Sequence, residues 1–237
     1  MKETSPAEFD EAIVSKIKLC VFSGSQPTSS EAALMYEKAY ILWKEVWGHV
    51  INVEMGKSTR LFSDEISKQS KIVSLFFDNI AVGVAFYKIR DLDSIVSLDD
   101  SFFRFWPQDS INKLKALSSK RISLASNFTV HPDFRKSRMG ICWKGLLLQS
   151  FVNEFAMEEE AEVMTTAARK IRSNEKLCFK HGATVLSHDI PYLTLDGLPI
   201  DGEIADLVVW DKRGDKILQS NNQLSLAVWN SRLNLNK

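Results

Sequence analysis

Arg135, Lys136 and Arg138 put three cations within four positions, in the segment Val130-His131-Pro132-Asp133-Phe134-Arg135-Lys136-Ser137-Arg138-Met139-Gly140. Residues 122–130 before it are apolar and strand-like, and Pro132, with no N–H to give, breaks the strand. A helix is predicted from Gly140 to about residue 157, with Leu147, Leu148, Phe151, Val152 and Phe155 as its buried face. A helix N-terminus favours nearby anions by roughly 0.3–1 kcal/mol per charge, so basic side chains there are out of place unless an anion arrives from outside. The free first-turn N–H groups, together with Arg135, Lys136 and Arg138, make a cradle of the kind that binds phosphates. Gly140 lets the backbone approach such a ligand closely. The alternative for this loop is a solvated basic surface whose partners are distant carboxylates.

Other residue types offer less chemistry. Cys20, Cys142 and Cys178 are odd in number and widely spaced, without a CxxC pair, which argues against a disulfide framework or a Cys-rich zinc site. They read as small buried apolar side chains. His49, His131, His181 and His188 lack ligand spacing, so no metal is expected. His131 and His181 are the available imidazoles for general base work, and surface or capping roles are the commoner use of such residues. Asp99 and Asp100 offer a cation site or a solvated acidic loop. Tyr36, Tyr40, Trp43 and Trp47 form an aromatic stripe that reads as core packing or as the wall of a substrate pocket.

The elements that must position these residues follow from pattern. Ser5-Pro6-Ala7-Glu8 starts a short helix carrying Phe9, Ile13 and Ile17. Residues 19–22 read as a strand. A second capping box at Thr28-Ser29-Ser30-Glu31 opens a helix that is expected to stop at Gly48. Residues 49–70 are polar and carry no clear signal. Residues 71–77 and 80–89 read as a hairpin about Asp78-Asn79. An acidic, aromatic stretch at 91–120 holds Phe102, Phe103, Phe105 and Trp106. Strands are expected at 161–168, 183–186 and 205–210, a helix at 171–181, a Gly/Pro/Asp-rich loop before residue 205, and a short helix in the tail after Asn221. This order predicts one α/β domain over 1–237 around a mixed sheet.

With 30 basic and 30 acidic side chains the net charge is zero, which argues against non-specific nucleic-acid binding. No apolar run approaches the ~20 residues of a membrane span. The N-terminal MKETSPAEFDEA is acidic and polar rather than signal-like, so a cytoplasmic protein is expected, in which the sequon at Asn127-Phe128-Thr129 has no meaning.

The basic segment resembles motif A of the GNAT-fold N-acyltransferases: a strand ending V-x-P, an aromatic, then (Q/R)-x-x-G-x-(G/A) opening a helix. Arg135 stands at the Q/R position, Arg138 where the first glycine falls, and Gly140 where the last one does. Residues 174–182 resemble the family's next helix, N-x4-Y-x-x-G, with Asn174 at its start and Phe179 at the tyrosine position. The resemblance covers roughly residues 19–211. It implies a mixed, mostly antiparallel sheet flanked by helices, and an acyl-coenzyme A co-substrate without a metal. By this resemblance the backbone of Arg135, Lys136, Ser137, Arg138, Met139, Gly140 and Ile141 holds the pyrophosphate. Phe128, Thr129 and Val130 pair with the pantetheine arm where two central strands splay apart. Asn174 contacts that arm or a bound water. Phe179 takes the place of the tyrosine that protonates the departing thiolate, a task Phe cannot perform. Ser126 and Asn127 are expected to face the thioester as substrate-orienting groups.

A second, weaker resemblance is to acyl-homoserine-lactone and N-acyl amino acid synthases, whose motif strand often reads E-x-S-R-F-x-V. Ser126, Phe128 and Val130 match it; Leu124 and Asn127 stand at the Glu and Arg positions. It implies an acyl-phosphopantetheine donor on an acyl carrier protein. Three functions compete: transfer from coenzyme A to a small-molecule amine, carrier-dependent synthesis of an N-acyl amino acid or autoinducer-like product, and thioester or partner binding without turnover.

Overall fold

The hairpin at 71–89 lies in the middle of the molecule. The computed structural model describes residues 11–56, 60–103, 106–118, 120–136, 139–193, 199–214 and 223–235. Strands β1 (Ile17–Phe22), β2 (Lys71–Phe77), β3 (Ile80–Asp91) and β4 (Arg121–Val130) pair antiparallel in succession. Asp78 and Asn79 turn the β2–β3 hairpin at φ 48 and 62; a type I′ turn needs φ > 0 at both positions, and Asp and Asn tolerate it. Beyond β4 come β5 (Val163–Arg169), β6 (Thr184–Leu193) and β7 (Pro199–Asp211), and a short β8 (Leu233–Asn234) lies against β1. The eight-stranded order is β6-β7-β5-β4-β3-β2-β1-β8, antiparallel except at β4/β5 and β1/β8.

Helices cover both faces. Helix α2 (Ser30–His49) packs Met35, Ala39, Leu42 and Trp43 onto Phe22, Ile72, Phe76 and Phe86. On the other face α6 (Trp143–Ala156) buries Leu147, Phe151 and Phe155 against Leu75, Val82 and Met164, joined by Leu224 and Val228 of α8 (Gln223–Asn230). A third cluster sets Leu92, Phe103, Trp106 and Leu114 from the 91–120 stretch against Leu124, Val163, Leu186 and Leu207. That stretch folds as two short helices, α4 (Ile95–Leu98) and α5 (Gln108–Leu117). The remaining helices are α1 (Glu11–Val14), α3 (Asp64–Ser67) and α7 (Asn174–Lys180). No helix among the described residues is long and apolar enough to cross a membrane.

Several boundaries differ from expectation. Ile17 opens β1, 5% exposed and opposite Phe77, because sheet pairing buries it where one more helical turn would not. The Ser5–Glu8 box and Phe9 lie outside the described residues. Ser29, not Thr28, caps α2; its Oγ accepts from the Ala32 N–H at 3.3 Å. Gly48 does not stop that helix, which continues into a π-helical turn over Val50–Glu54. The apolar stripe explains this, since Val46, Val50 and Ile51 are all buried and one interior glycine costs only about 1 kcal/mol. Helix α6 starts at Trp143, three positions after Gly140, because Met139 and Gly140 sit at φ 56 and 71. The expected loop before residue 205 is largely strand: β6 runs on to Leu193 and β7 begins at Pro199.

Candidate active site: a fork between two central strands

β4 and β5 run parallel but pair only at Ile122–Val163, Ser123–Met164 and Leu124–Thr165. β5 then stays with β7 as far as Arg169, while residues 125–130 of β4 stay with β3. The strands therefore fork, and the β5-facing backbone edge of β4 is left without a strand partner. Thr166 reaches across at the branch point, its Oγ1 donating to the Ala125 carbonyl at 2.9 Å.

β4 is also bulged here. Thr129 lies opposite Val84 and Ser126 opposite Phe86, so Asn127 and Phe128 share one partner position, and Asn127 takes φ 56. Such a bulge re-aims the backbone locally. Helix α2 holds it from the far side. Trp43 Nε1 donates to Asn127 Oδ1 at 3.2 Å, and Trp47 Nε1 donates to Thr129 Oγ1 at 2.9 Å. Thr129 Oγ1 donates in turn to the Asn127 carbonyl at 2.7 Å, and Asn127 Nδ2 donates to Ser126 Oγ at 3.1 Å. The aromatic stripe is thus both core and site support.

The fork opens into a cleft of about 160 Å³. Residues 125–130 line it with Trp47 of α2, Lys144, Leu148 and Phe151 of α6, residues 166–169 of β5, and Asn174, Leu177 and Cys178 of α7. Phe102, Trp106 and Tyr192 also line it. Arg135 and Arg172 also line the cleft. Arg135 Nε donates to the Val130 carbonyl at 3.2 Å, holding the loop against the strand end.

Three cations thus come together from three segments. Burial first, and then Arg172 and Arg135, hold the Lys144 ammonium below its ordinary value. Arg135 is lowered by burial and by Arg172, with Glu54 acting the other way. Lys144 lies in the first turn of α6, whose cap residue Cys142 makes no side-chain cap bond and whose first turn has no acidic residue. Positive charge collected at a helix N-terminus is an anion site in electrostatic terms. Arg169 also lines the cleft but is paired with Glu203 through two bonds, at 2.8 and 2.5 Å, with its guanidinium 4.9 Å from the Tyr192 ring.

Among the expected site residues, Ser126, Asn127, Phe128, Thr129, Val130, Arg135 and Asn174 line the cleft. Lys136, Met139, Gly140 and Ile141 are not among the lining residues; the first three are exposed and Ile141 is buried. Ser137 and Arg138 lie outside the described residues. Phe179 is 37% exposed on α7 and is not a wall residue, whereas its neighbours Leu177 and Cys178 are. Asp100 is held by Lys88 at 2.5 Å and Arg90 at 2.7 Å, so it is an internal counter-ion and no open cation site. His131 caps the turn Pro132–Phe134, its Nδ1 accepting from the Asp133 N–H at 3.2 Å. His181 Nδ1 pairs with Gln149 Oε1 at 2.9 Å. Trp47 is a wall residue, one of the two roles its aromatic stripe allowed. Lys144, Arg172 and Tyr192 were not legible as wall residues, and of these three only Lys144, basic in a helix's first turn, carried a sequence signal.

Burial pushes the Cys178 thiol and the Tyr192 hydroxyl up to about 12. Burial thus works against ionisation of either group. The cleft thus combines the cations Arg135, Lys144 and Arg172 with the part of the β4 edge that β5 leaves unpaired.

No family model matches the sequence, and no curated protein matches it. Solved structures do. The chain is similar to BjaI, a CoA-dependent acyl-homoserine lactone synthase solved with SAM and isopentyl-CoA, with TM-score 0.55 and 11% identity over 93% of this chain and 92% of that one. It is similar to FeeM, an N-acyl amino acid synthase from uncultured soil microbes, with TM-score 0.54 and 9% identity over 83% and 92% of the two chains. An agmatine N-acetyltransferase matches at TM-score 0.52 and 9% identity, over 83% and 99%. The fold is therefore GNAT-like: one mixed, mostly antiparallel sheet flanked by helices.

Proposed function

We propose that the protein is an N-acyltransferase that moves an acyl group from a coenzyme A thioester to a small-molecule amine, by direct attack in a ternary complex. The observation that carries this reading is the β4/β5 fork with Arg135, Lys144 and Arg172 on its walls. Its residues fit such a donor. The β4 edge offers backbone groups to an amide-bearing arm, and a Cβ built on Gly140 meets nothing within 4 Å, leaving room for close approach. When bound, a thioester supplies an acyl carbon whose thiolate leaves readily, since a thiol pKa is about 8.5.

The chain's own residues then do the following. Arg135, Lys144 and Arg172 would neutralise the phosphates. Backbone of Phe128, Thr129 and Val130 holds the arm. A backbone N–H of the bulge would serve as donor to the developing charge on the acyl oxygen, the kind of donor whose removal costs about 10²–10³ in rate. Ser126 and Asn127 set the bulge and orient the substrate, and Asn174 meets the arm from α7. Leu148 and Phe151 keep water from the arm. The amine arrives deprotonated or loses its proton to solvent, since no carboxylate or imidazole is among the described residues that line the cleft. A cytoplasmic location is part of this proposal, because acyl-coenzyme A is its donor.

The test is thiol release from acyl-coenzyme A with a panel of amines. Amine-dependent release supports the enzyme; thioester binding without release from any amine makes the protein a binder. A carrier-bound acyl donor is the second reading, favoured by exposed Lys136, Lys176 and Lys180, which neighbour the lining residues Arg135, Asn174 and Leu177 in sequence, and by the apolar lining at Phe102 and Trp106. Matched acyl-carrier donors belong in the same assay.

A further inference from the structure

The π-helical turn that ends α2 carries Glu54, and Glu54 forms an ion pair with Arg172, 118 positions away. The pair bridges the two walls of the cleft, one built by Val46, Trp47 and Val50 and the other by Arg172 and Asn174. A π turn is wider than an α turn and recurs at functional sites; here it carries a helix past Gly48 and puts a carboxylate over a cationic cleft. The side chains of Glu54 and Arg172 are 31% and 29% exposed, within reach of an entering ligand. Burial alone would raise the Glu54 carboxyl, but Arg172, Arg169 and Arg135 hold it below the usual range. Glu54 therefore stands among the same guanidinium groups that line the anion site.

We propose that Glu54 is a specificity-determining residue of this site: an internal carboxylate that occupies Arg172 until a phosphate or diphosphate group of the ligand takes its place. The inference rests on the anion site of the proposed function, and goes beyond it in naming the group the ligand must displace. Two consequences follow from Coulomb repulsion between Glu54 and an incoming anion. Polyanions, which gain contacts with Arg135, Lys144 and Arg172 together, displace Glu54; simple monoanions do not. A neutral residue at position 54 relaxes that choice.

The experiment is isothermal calorimetry of wild type, Glu54→Gln and Arg172→Ala with inorganic pyrophosphate, coenzyme A and phosphate-free pantetheine. Glu54→Gln is expected to bind pyrophosphate and coenzyme A three- to fivefold more tightly, about what an exposed ion pair is worth, with pantetheine unchanged. Glu54→Asp, which keeps the charge, is expected to stay near wild type. Arg172→Ala is expected to weaken both phosphate ligands. If wild type binds these anions and Glu54→Gln binds them equally or more weakly, the displacement idea is overturned and the anion site survives. If no variant binds pyrophosphate or coenzyme A, the anion site itself falls and Glu54 with it. A pantetheine affinity that rises along with the others shows a general loosening of the π turn and also overturns the proposal.

Discussion

Arg135 has two tasks. Its Nε ties the loop to the Val130 carbonyl at 3.2 Å, and its charge joins Lys144 and Arg172 on the cleft wall. A charge-assisted hydrogen bond contributes about 1.5–3 kcal/mol, so Arg135→Ala is expected to weaken coenzyme A binding roughly tenfold or more, with an unchanged circular dichroism spectrum. Equal calorimetric affinity in the variant and wild type would remove Arg135 from the site. This residue was legible because its charge is crowded with Lys136 and Arg138 beside a helix start. Arg172 was not: it follows a different strand and meets Arg135 only when the fork is folded. Asn127 shows another limit. Its place on the motif strand is readable, but not that its amide is bonded to Trp43 and Ser126 in support of a bulge. Such pairings depend on which face α2 covers.

Helix α2 and strand β4 act as a unit, because indole N–H groups on successive turns hold the bulge. Trp47→Phe keeps most of the ring and removes the donor to Thr129 Oγ1. It is expected to cost about 0.5–1.5 kcal/mol in urea unfolding, and Thr129→Val, which also removes the bond to the Asn127 carbonyl, is expected to cost more. In a double-mutant cycle the two losses should not add, since they share one bond; full additivity would show that the clamp carries no energy. Helices α6 and α7 are joined by the Gln149–His181 pair, which has a pH signature. Burial, and then Lys180, lower the His181 pKa from 6.5 to about 4. Between these values the unfolded chain binds a proton that the folded chain refuses, so stability falls as pH drops from about 6.5 to about 4. Urea midpoints at pH 7 and 4.5 should fall more in wild type than in His181→Gln, and equal falls would clear His181. At this scale the β2–β3 hairpin, β4, α6 and α8 were legible from apolar period and turn residues. The Gly48 stop and the loop before residue 205 were misread because burial of Val50 and Ile51, and pairing of β6 with β7, override local signals. The β4/β5 fork has no local signal beyond the family resemblance.

Across the whole molecule, 30 basic and 30 acidic side chains cancel, yet they are unevenly placed. Arg135, Lys144 and Arg172 line the cleft with Glu54 as the carboxylate facing them, while Lys136, Lys176 and Lys180 are exposed on the flanking loop and helix. The first group lines the cleft and meets a ligand held inside the fork. The second is reached by a macromolecule docked on the mouth. A small donor held within the cleft is partly shielded from salt, whereas docking of an acidic carrier through exposed lysines is screened over a Debye length of about 8 Å at 0.15 M. The two donors can therefore be told apart by charge reversal outside the wall. With coenzyme A as donor, Lys176→Glu combined with Lys180→Glu is expected to leave transfer within twofold of wild type, and raising salt from 0.05 to 0.3 M lowers it gradually. With a carrier as donor, the double variant loses most activity and the salt dependence is steep. Steady-state rates with matched acyl groups on both donors decide the matter. Our expectation is the first pattern, because the cationic residues that converge in the fold are those inside the fork. A carrier-only signal that collapses in the double variant would transfer the donor assignment to the carrier protein.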